Sequence, residues 1–199
     1  NMKTITLITL FVGALAFITN AYASVSGNLG VATDYIWRGQ SQGDSPEAFV
    51  NGGIDYTAES YYAGAWIGSL QSDVEVNYYA GTDIEGFDVG IIKYEFAGDG
   101  DSTEGYVGYS FQGFDLSYAQ DLDESDNEFF SVSYALPTFI EGISSALTYG
   151  DVTKAIGVDG VDDSYDYLQL DISYGDLTIT LTDEDSVGTT TALSYSWSL

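Results

Sequence analysis

Apolar and polar residues alternate with a period of two in segment after segment of this 199-residue chain. Successive side chains of a β-strand point to opposite faces, so this alternation predicts strands with one apolar and one polar face. The clearest segments are residues 50–57, 74–79, 114–119, 130–134, 168–174, 177–182 and 193–199. No apolar stripe at helical spacing competes with them. The chain is therefore predicted to be all-β.

Four further segments are assigned to strands. Residues 61–70, 89–96 and 143–149 alternate less regularly, and their β-rich composition supports the assignment. Residues 26–44 are interpreted as one long strand that ends in an exposed turn. On this interpretation one face carries Leu29, Val31, Tyr35 and Trp37, and the opposite face carries Asn28, Asp34 and Arg38.

The first residues have the pattern of an export signal. A charged start at residues 2–3 precedes an apolar run over residues 5–18, and Ala-Tyr-Ala at 21–23 matches an A-x-A cleavage site. We therefore expect residues 1–23 to be a signal peptide and residues 24–199 to form one β-barrel domain.

Charge and residue usage exclude several classes of function. The chain has 4 basic and 31 acidic residues, a net charge of −27, and the basic residues after the leader are Arg38, Lys93 and Lys154. No basic patch for a nucleic acid can be assembled from three residues. The absence of cysteine removes disulfides, and the absence of histidine removes a Ser-His-Asp site. No enzymatic activity is expected.

Connections between the strands alternate in length. Short ones fall at 59–60, 85–86, 112–113, 137–142 and 175–176, and longer polar ones at 39–47, 69–73, 97–103, 120–128, 150–164 and 183–188. The hydrophobic share is 45%, yet no apolar run of helical membrane length follows the leader. These features are typical of a transmembrane antiparallel up-and-down β-barrel, with short turns on the periplasmic side. The count indicates about twelve strands; ten and fourteen also fit.

Three stretches resemble the TorF-type porins, a bacterial outer-membrane family. Residues 34–42, Asp-Tyr-Ile-Trp-Arg-Gly-Gln-Ser-Gln, are similar to the end of that family's first strand. Residues 61–66, Tyr-Tyr-Ala-Gly-Ala-Trp, and 76–81, Val-Asn-Tyr-Tyr-Ala-Gly, resemble its second hairpin. The resemblance implies an outer-membrane location and a pore, without indicating a substrate. The density of acidic residues in the loops departs from the family.

Three sets of candidate site residues follow. Strand parity places lumen or constriction candidates at Asp34, Arg38, Asp55, Glu75, Asp115 and Asp171. For Arg38 the alternative is that it offsets lumen carboxylates or anchors the first loop. Aromatic residues near strand ends are assigned to interfacial girdles: Trp37, Trp66, Tyr174, Tyr195 and Trp197. Weak candidates for surface Ca²⁺ or Mg²⁺ are Asp121, Asp123, Asp126, Asp162 and Asp163, which lack EF-hand spacing. A solvated acidic surface explains them better, and no cofactor is expected.

Composition and resemblance together favour a passive outer-membrane channel that prefers cations, with membrane lipid and small solutes or cations as partners. Two alternatives stay open. One is a closed structural or adhesive barrel, because a lumen can be filled by its own side chains. The other is a small-ligand-binding barrel, which parity alone cannot separate from a membrane barrel. The sequence does not indicate an oligomeric state.

Overall fold

The computed structural model describes residues 23–43, 48–70, 73–98, 100–124, 127–154 and 164–199. The predicted signal peptide, apart from residue 23, lies outside these ranges. Within them the chain forms fourteen β-strands, of which twelve close into a barrel. Each barrel strand pairs antiparallel with its neighbour in sequence, and β1 pairs with both β4 and β14. The predicted all-β fold, an antiparallel up-and-down barrel of twelve strands, is confirmed.

The strands are numbered in chain order. They are β1 (Ser24–Ala32), β2 (Ile36–Trp37), β3 (Gln40–Ser41), β4 (Phe49–Thr57), β5 (Tyr62–Ser69), β6 (Val74–Ile84), β7 (Phe87–Phe96), β8 (Ser102–Phe111), β9 (Phe114–Asp121), β10 (Glu128–Ala135), β11 (Ile143–Thr153), β12 (Tyr165–Tyr174), β13 (Leu177–Glu184) and β14 (Gly188–Ser198). The short strands β2 and β3 pair only with each other, in a hairpin between β1 and β4.

The two ends of the barrel differ in their connections. At one end, which we call the turn end, tight turns join β6 to β7 and β8 to β9. Both central residues of each turn have positive φ: Glu85 at 55° with Gly86 at 87°, and Gln112 at 49° with Gly113 at 85°. This is the type I′ geometry that matches the twist of the flanking strands. The connection that carries β2 and β3 and the β11–β12 connection lie at the other end, which we call the loop end, whereas the seven-residue β10–β11 connection lies at the turn end.

The strand register separates an apolar outer face from a polar inner face. On the outer face Leu29, Ile67, Leu116, Leu168 and Leu193 are 38 to 50% exposed. The inner face is mainly Gly, Ala, Ser, Thr, acidic residues and Tyr, and it includes buried Glu75, Asn77, Glu104, Asp121, Thr182 and Glu184. An apolar exterior around a polar interior is the reverse of a soluble barrel and is typical of a membrane barrel. Within the described part of the chain we find no helix of the length and apolarity that a membrane crossing needs.

Two predicted segments differ from the structure. The expected long strand over residues 26–44 is wrong: β1 ends at Ala32, and the chain then turns into the barrel. Alternation alone could not reveal this, because Tyr35 and Trp37 continue the apolar parity after the strand has ended. Conversely, β11 continues to Thr153 instead of stopping at residue 149, because Gly150, Asp151 and Val152 still pair with β12.

Candidate functional site

The hairpin of β2 and β3 lies inside the loop end of the barrel, and we call residues 34–42 the lumen hairpin. Its turn consists of Arg38 at φ 47° and Gly39 at φ 82°, the type I′ geometry of the two tight turns described above. The N–H of Gln42 donates to the carbonyl of Tyr35 at 2.8 Å and closes the hairpin. A non-glycine residue with positive φ is uncommon, and Arg38 adopts it, like Glu85 and Gln112, at the first central position of a type I′ turn.

Arg38 is fixed by charge and by aromatic rings. Its Nη1 and Nη2 donate to Oε1 and Oε2 of Glu104 on β8 at 2.8 and 2.7 Å. The guanidinium carbon lies 4.1 Å from the ring centroids of both Trp37 and Phe129. The side chains of Arg38 and Glu104 are only 13% and 10% exposed. Bidentate pairing and stacking are the contacts for which arginine is suited, so this pair anchors the hairpin to β8 and β10.

The base of the lumen hairpin packs against the opposite part of the wall. The Tyr35 ring stacks on Phe49 at a centroid distance of 4.4 Å and lies 5.9 Å from Trp66. Its hydroxyl is hydrogen-bonded to Glu75 on β6. The hydroxyl of Ser41 donates to Asp34 Oδ1 at 2.8 Å. These contacts tie the base to β4, β5 and β6.

The tip of the lumen hairpin reaches β12 and β13. The Thr182 hydroxyl donates to the carbonyl of Gly39 at 3.2 Å, and a Cβ at Gly39 would overlap the ring of Tyr167. Glycine is therefore required at this position by close approach as well as by its positive φ. Together with the anchors on β4–β8 and β10, this contact shows that the hairpin crosses the lumen.

Two cavities remain beside the lumen hairpin. The first, about 230 Å³, is bounded by Arg38, Gln40 and Gln42 on the hairpin side and by β8–β12 on the other; Asp121 and Lys154 are among its lining residues. The second, about 200 Å³, lies between the hairpin and β6–β8. Among the residues that the structure describes, the lumen hairpin therefore narrows the loop end without filling it. About eight strands suffice for side chains alone to fill a barrel, so a twelve-stranded barrel has room for the hairpin.

Toward the turn end, tyrosine rings lie flat on the wall formed by β5–β8. Each ring covers a glycine directly across the strand pair: Tyr79 over Gly64, Tyr62 over Gly81 and Tyr106 over Gly90. The Tyr62 hydroxyl donates to Asp88 at 2.6 Å and lies 2.5 Å from that of Tyr106. The Tyr79 hydroxyl donates to Asp55. The rings thus cover the wall and leave carboxylates facing the lumen.

The wall formed by β9–β14 is lined by smaller side chains, chiefly serine and threonine. Asp171 accepts hydrogen bonds from Thr180 at 2.6 Å and Gln169 at 2.8 Å, and Asp115 accepts one from Ser110 at 2.5 Å.

At the loop end, Asp73 links two connections of the barrel. The N–H groups of Val74, Ala97 and Gly98 donate to its carboxylate at 2.7, 2.9 and 3.2 Å. These donors favour the charged form and hold the pKa of Asp73 below its usual range. The β5–β6 and β7–β8 connections are thereby joined beside the second cavity.

The lumen candidates all lie on the inner face or in the lumen hairpin. Asp34 and Arg38 belong to the hairpin, and Asp55, Glu75, Asp115 and Asp171 line the wall. Glu75 contacts Tyr35 at the base of the lumen hairpin, whereas Arg38 pairs with Glu104 at its turn. For Arg38 the structure favours the second interpretation given above, because its guanidinium pairs with the Glu104 carboxylate and anchors the first loop.

Two of the predicted girdle residues are placed differently. Trp37 packs against Tyr94 and Arg38, and Trp66 packs against Tyr35 and Phe49, so both tryptophans are inside the barrel. The girdle assignment of these two is wrong. The other three, Tyr174, Tyr195 and Trp197, lie on the outer face near the turn end. There they join the aromatic pairs Phe87–Tyr109 and Phe114–Tyr134.

The metal candidates do not form a coordination site in the described ranges, where no group of three or more acidic side chains is arranged to hold an ion. Asp121 instead accepts the N–H groups of Asp123 and Glu124 at 2.8 and 3.0 Å and the hydroxyl of Ser102 at 2.8 Å. Its carboxylate organises the β9–β10 connection. Asp126, Asp162 and Asp163 lie outside the described residues.

Sequence reasoning missed Glu104, Asp88 and the tyrosine-covered wall. Glu104 is 66 positions from Arg38, so no local spacing could join them. The turn at Arg38–Gly39 did carry a signal, because it has the same form as Glu85–Gly86 and Gln112–Gly113: a long polar residue followed by glycine. The sequence predicts turns at those two pairs, whereas it places Arg38–Gly39 at the end of a long strand.

The fold defines this chain as a member of the closed antiparallel barrels. Residues 19–198 match the sequence model of a family described as "Bacterial protein of unknown function (Gcw_chp)". The chain belongs to this family. The match does not support the TorF-type name that the local resemblance implied. No curated protein matches the sequence.

The solved structures that resemble this barrel are distant in sequence. One, reported with work on the in-meso crystallization of membrane proteins, has a TM-score of 0.51 and 10% identity over 88% of this chain and 83% of its own. OccK5 (OpdH) of Pseudomonas aeruginosa has a TM-score of 0.47 and 13% sequence identity, and the match covers 90% of this chain and 68% of OccK5. OccAB3 of Acinetobacter baumannii has a TM-score of 0.44 and 11% sequence identity, and the match covers 90% of this chain and 66% of OccAB3. At such identities the likeness concerns the fold alone.

Proposed function

We propose that this protein is an outer-membrane channel for passive passage of ions or small solutes, that it prefers cations, and that the lumen hairpin narrows its loop-side mouth. The proposal rests on the polarity of the two faces of the barrel wall, which is apolar outside and polar inside, the reverse of a soluble barrel. Exposed Leu, Ile, Val and aromatic residues surround the exterior, and carboxylates and hydroxyls line the interior. Soluble proteins rarely expose an apolar patch of this extent, whereas a lipid bilayer covers it.

The charge of the lumen supports cation preference. Carboxylates on the inner wall include Asp55, Asp88, Asp115 and Asp171, and the hydrogen-bond donors bound to them are neutral hydroxyls and an amide. The arginine of the hairpin is already matched by Glu104. An excess of fixed negative charge concentrates cations in a narrow aqueous path and repels anions.

The apolar exterior also bears on the alternatives. A small-ligand-binding barrel in solution would need a polar outer face, so this alternative is disfavoured. A closed structural barrel is favoured by one observation, the contacts that the lumen hairpin makes with β4–β8, β10, β12 and β13. An enzymatic role has no support in a chain without histidine.

Planar bilayer recording of the purified full-length barrel tests the proposal. Stepwise conductance with a cation-directed reversal potential in a salt gradient is expected. A barrel that inserts and never conducts would instead be a closed structural barrel. Export through a signal peptide cleaved near Ser24 belongs to the same proposal, and N-terminal sequencing of the membrane-extracted protein tests it.

A further inference from the structure

The cavity between the lumen hairpin and β6–β8 combines aromatic rings with carboxylates. Its volume is about 200 Å³. Among its lining residues are the rings of Tyr35, Trp37, Tyr94 and Phe96 and the carboxylates of Glu75 and Glu104. The Trp37 and Tyr94 rings meet edge to face at 5.9 Å and 73°, so two sides of the cavity are held at a fixed angle. The cavity thus has the composition of an aromatic cage.

The two carboxylates differ in their counterions. Glu104 is matched by the guanidinium of Arg38. Glu75 is 4% exposed and receives only neutral donors, the Asn77 amide at 2.8 Å and the Tyr35 hydroxyl. Among the described residues the ion pairs are Arg38–Glu104 and Lys93–Glu95, and neither includes Glu75. The cavity wall therefore carries one buried negative charge without a cation, which is a costly arrangement.

A second group beside Glu75 also lacks a partner. The Oδ1 atom of Asn77 is buried, the residue is 7% exposed, and this oxygen has no hydrogen-bond partner in the described part of the chain. Its amide nitrogen is committed to Glu75. Glu75 lines the cavity, whereas Asn77, which donates to it from the next inward position of β6, is not among the lining residues.

We infer that this cavity binds a small organic cation, a protonated or quaternary amine. Aromatic faces attract such cations, and the attraction is larger where the site is desolvated. The buried Glu75 carboxylate supplies the opposite charge. A Ca²⁺ ion would require about six to eight oxygen ligands, more than this wall offers. The volume is below the roughly 300 to 1,000 Å³ typical of drug-sized ligands, so the ligand is a small ion. The inference rests on the proposed cation channel, because the cavity would then be a selective site at its loop-side mouth.

The test uses the full-length barrel in detergent and two probes of similar shape. Choline carries the charge, and 3,3-dimethyl-1-butanol replaces the ammonium by a neutral carbon. Saturable binding of choline is expected by calorimetry, with a change in tryptophan fluorescence because Trp37 lines the cavity. The neutral analogue should bind about tenfold more weakly or not at all. This comparison needs no variant, so it does not depend on a substituted chain folding.

A matched pair of variants locates the site. Glu75→Gln keeps the shape and an acceptor for Asn77 while removing the charge, and it should weaken choline binding about tenfold. Asp115→Asn removes an inner-face charge on β9, outside the cavity, and should leave the affinity unchanged. Equal binding of choline and its neutral analogue, or equal affinity of both variants, would overturn the inference. Conductance recorded on the same preparation separates the two proposals, because a channel that conducts and does not bind choline contradicts only this one.

Discussion

The Arg38–Glu104 pair gives the sharpest prediction about the lumen hairpin. Glu104→Gln keeps the shape of the side chain and leaves the guanidinium, which is 13% exposed, without its carboxylate. Removal of one partner of a buried ion pair typically costs about 3 to 5 kcal/mol. Stacking on Trp37 and Phe129 remains in this variant, so we take the lower value. About 3 kcal/mol corresponds to a roughly hundredfold larger population of the displaced hairpin.

The rate of trypsin cleavage after Arg38 measures the population of the displaced hairpin. Arg38 is one of three basic residues after the leader, with Lys93 and Lys154, and cleavage after Arg38 requires the turn to leave the lumen. When opening and closing are fast relative to cleavage, the cleavage rate follows the equilibrium population of the open form. The Glu104→Gln barrel should therefore be cut after Arg38 about a hundredfold faster than the unmodified barrel.

A matched variant supplies the control. Lys93 and Glu95 form a more exposed pair at 2.7 Å, with side chains 48% and 32% exposed. Glu95→Gln should change the cleavage rate at Arg38 by a small factor, because an exposed ion pair is worth roughly 0 to 1 kcal/mol. If Glu104→Gln and Glu95→Gln give the same rate at Arg38, the ion pair does not hold the hairpin. If the hairpin narrows the conducting path, the Glu104→Gln barrel should also show longer or larger open events in a planar bilayer.

Three further results are expected. Leu193→Lys, on the outer face, should lower the free energy of unfolding in lipid vesicles by about 2 to 4 kcal/mol and Ser194→Lys by much less, and equal losses would contradict the assigned faces. Cation preference in a reversal-potential measurement should weaken as the Debye length falls from about 10 Å at 0.1 M salt to about 3 Å at 1 M, and an anion preference would refute the electrostatic argument. Gly64→Ala should destabilise the barrel by about 1 to 3 kcal/mol, because the new Cβ overlaps the Tyr79 ring. Gly108→Ala, whose Cβ would have its nearest neighbours at 3.7 Å, should be close to neutral when the free energies of unfolding of both variants are measured by urea titration in lipid vesicles.

Several features of this protein were predictable from the sequence because they depend on local periodicity. Strand alternation predicted Asp55, Asp115 and Asp171 on the lumen side, and the register places them on the inner face. The pairs Glu85–Gly86 and Gln112–Gly113 marked tight turns because type I′ geometry favours glycine. The alternation of short and long connections indicated about twelve strands, with ten and fourteen also possible, and the structure has twelve in the barrel.

The position of residues 34–42 was decided only by the tertiary structure. Tyr35, Trp37 and Arg38 have the same spacing in an extended strand as in a hairpin folded into the lumen, so the period of two fits both. What separates the two is contact with residues distant in sequence: Glu104 for Arg38, Phe49 and Trp66 for Tyr35, and Thr182 for Gly39. Local pattern determines which side of a strand a residue occupies. Closure of the barrel determines which residues contact each other across the lumen, and the candidate site consists of those contacts.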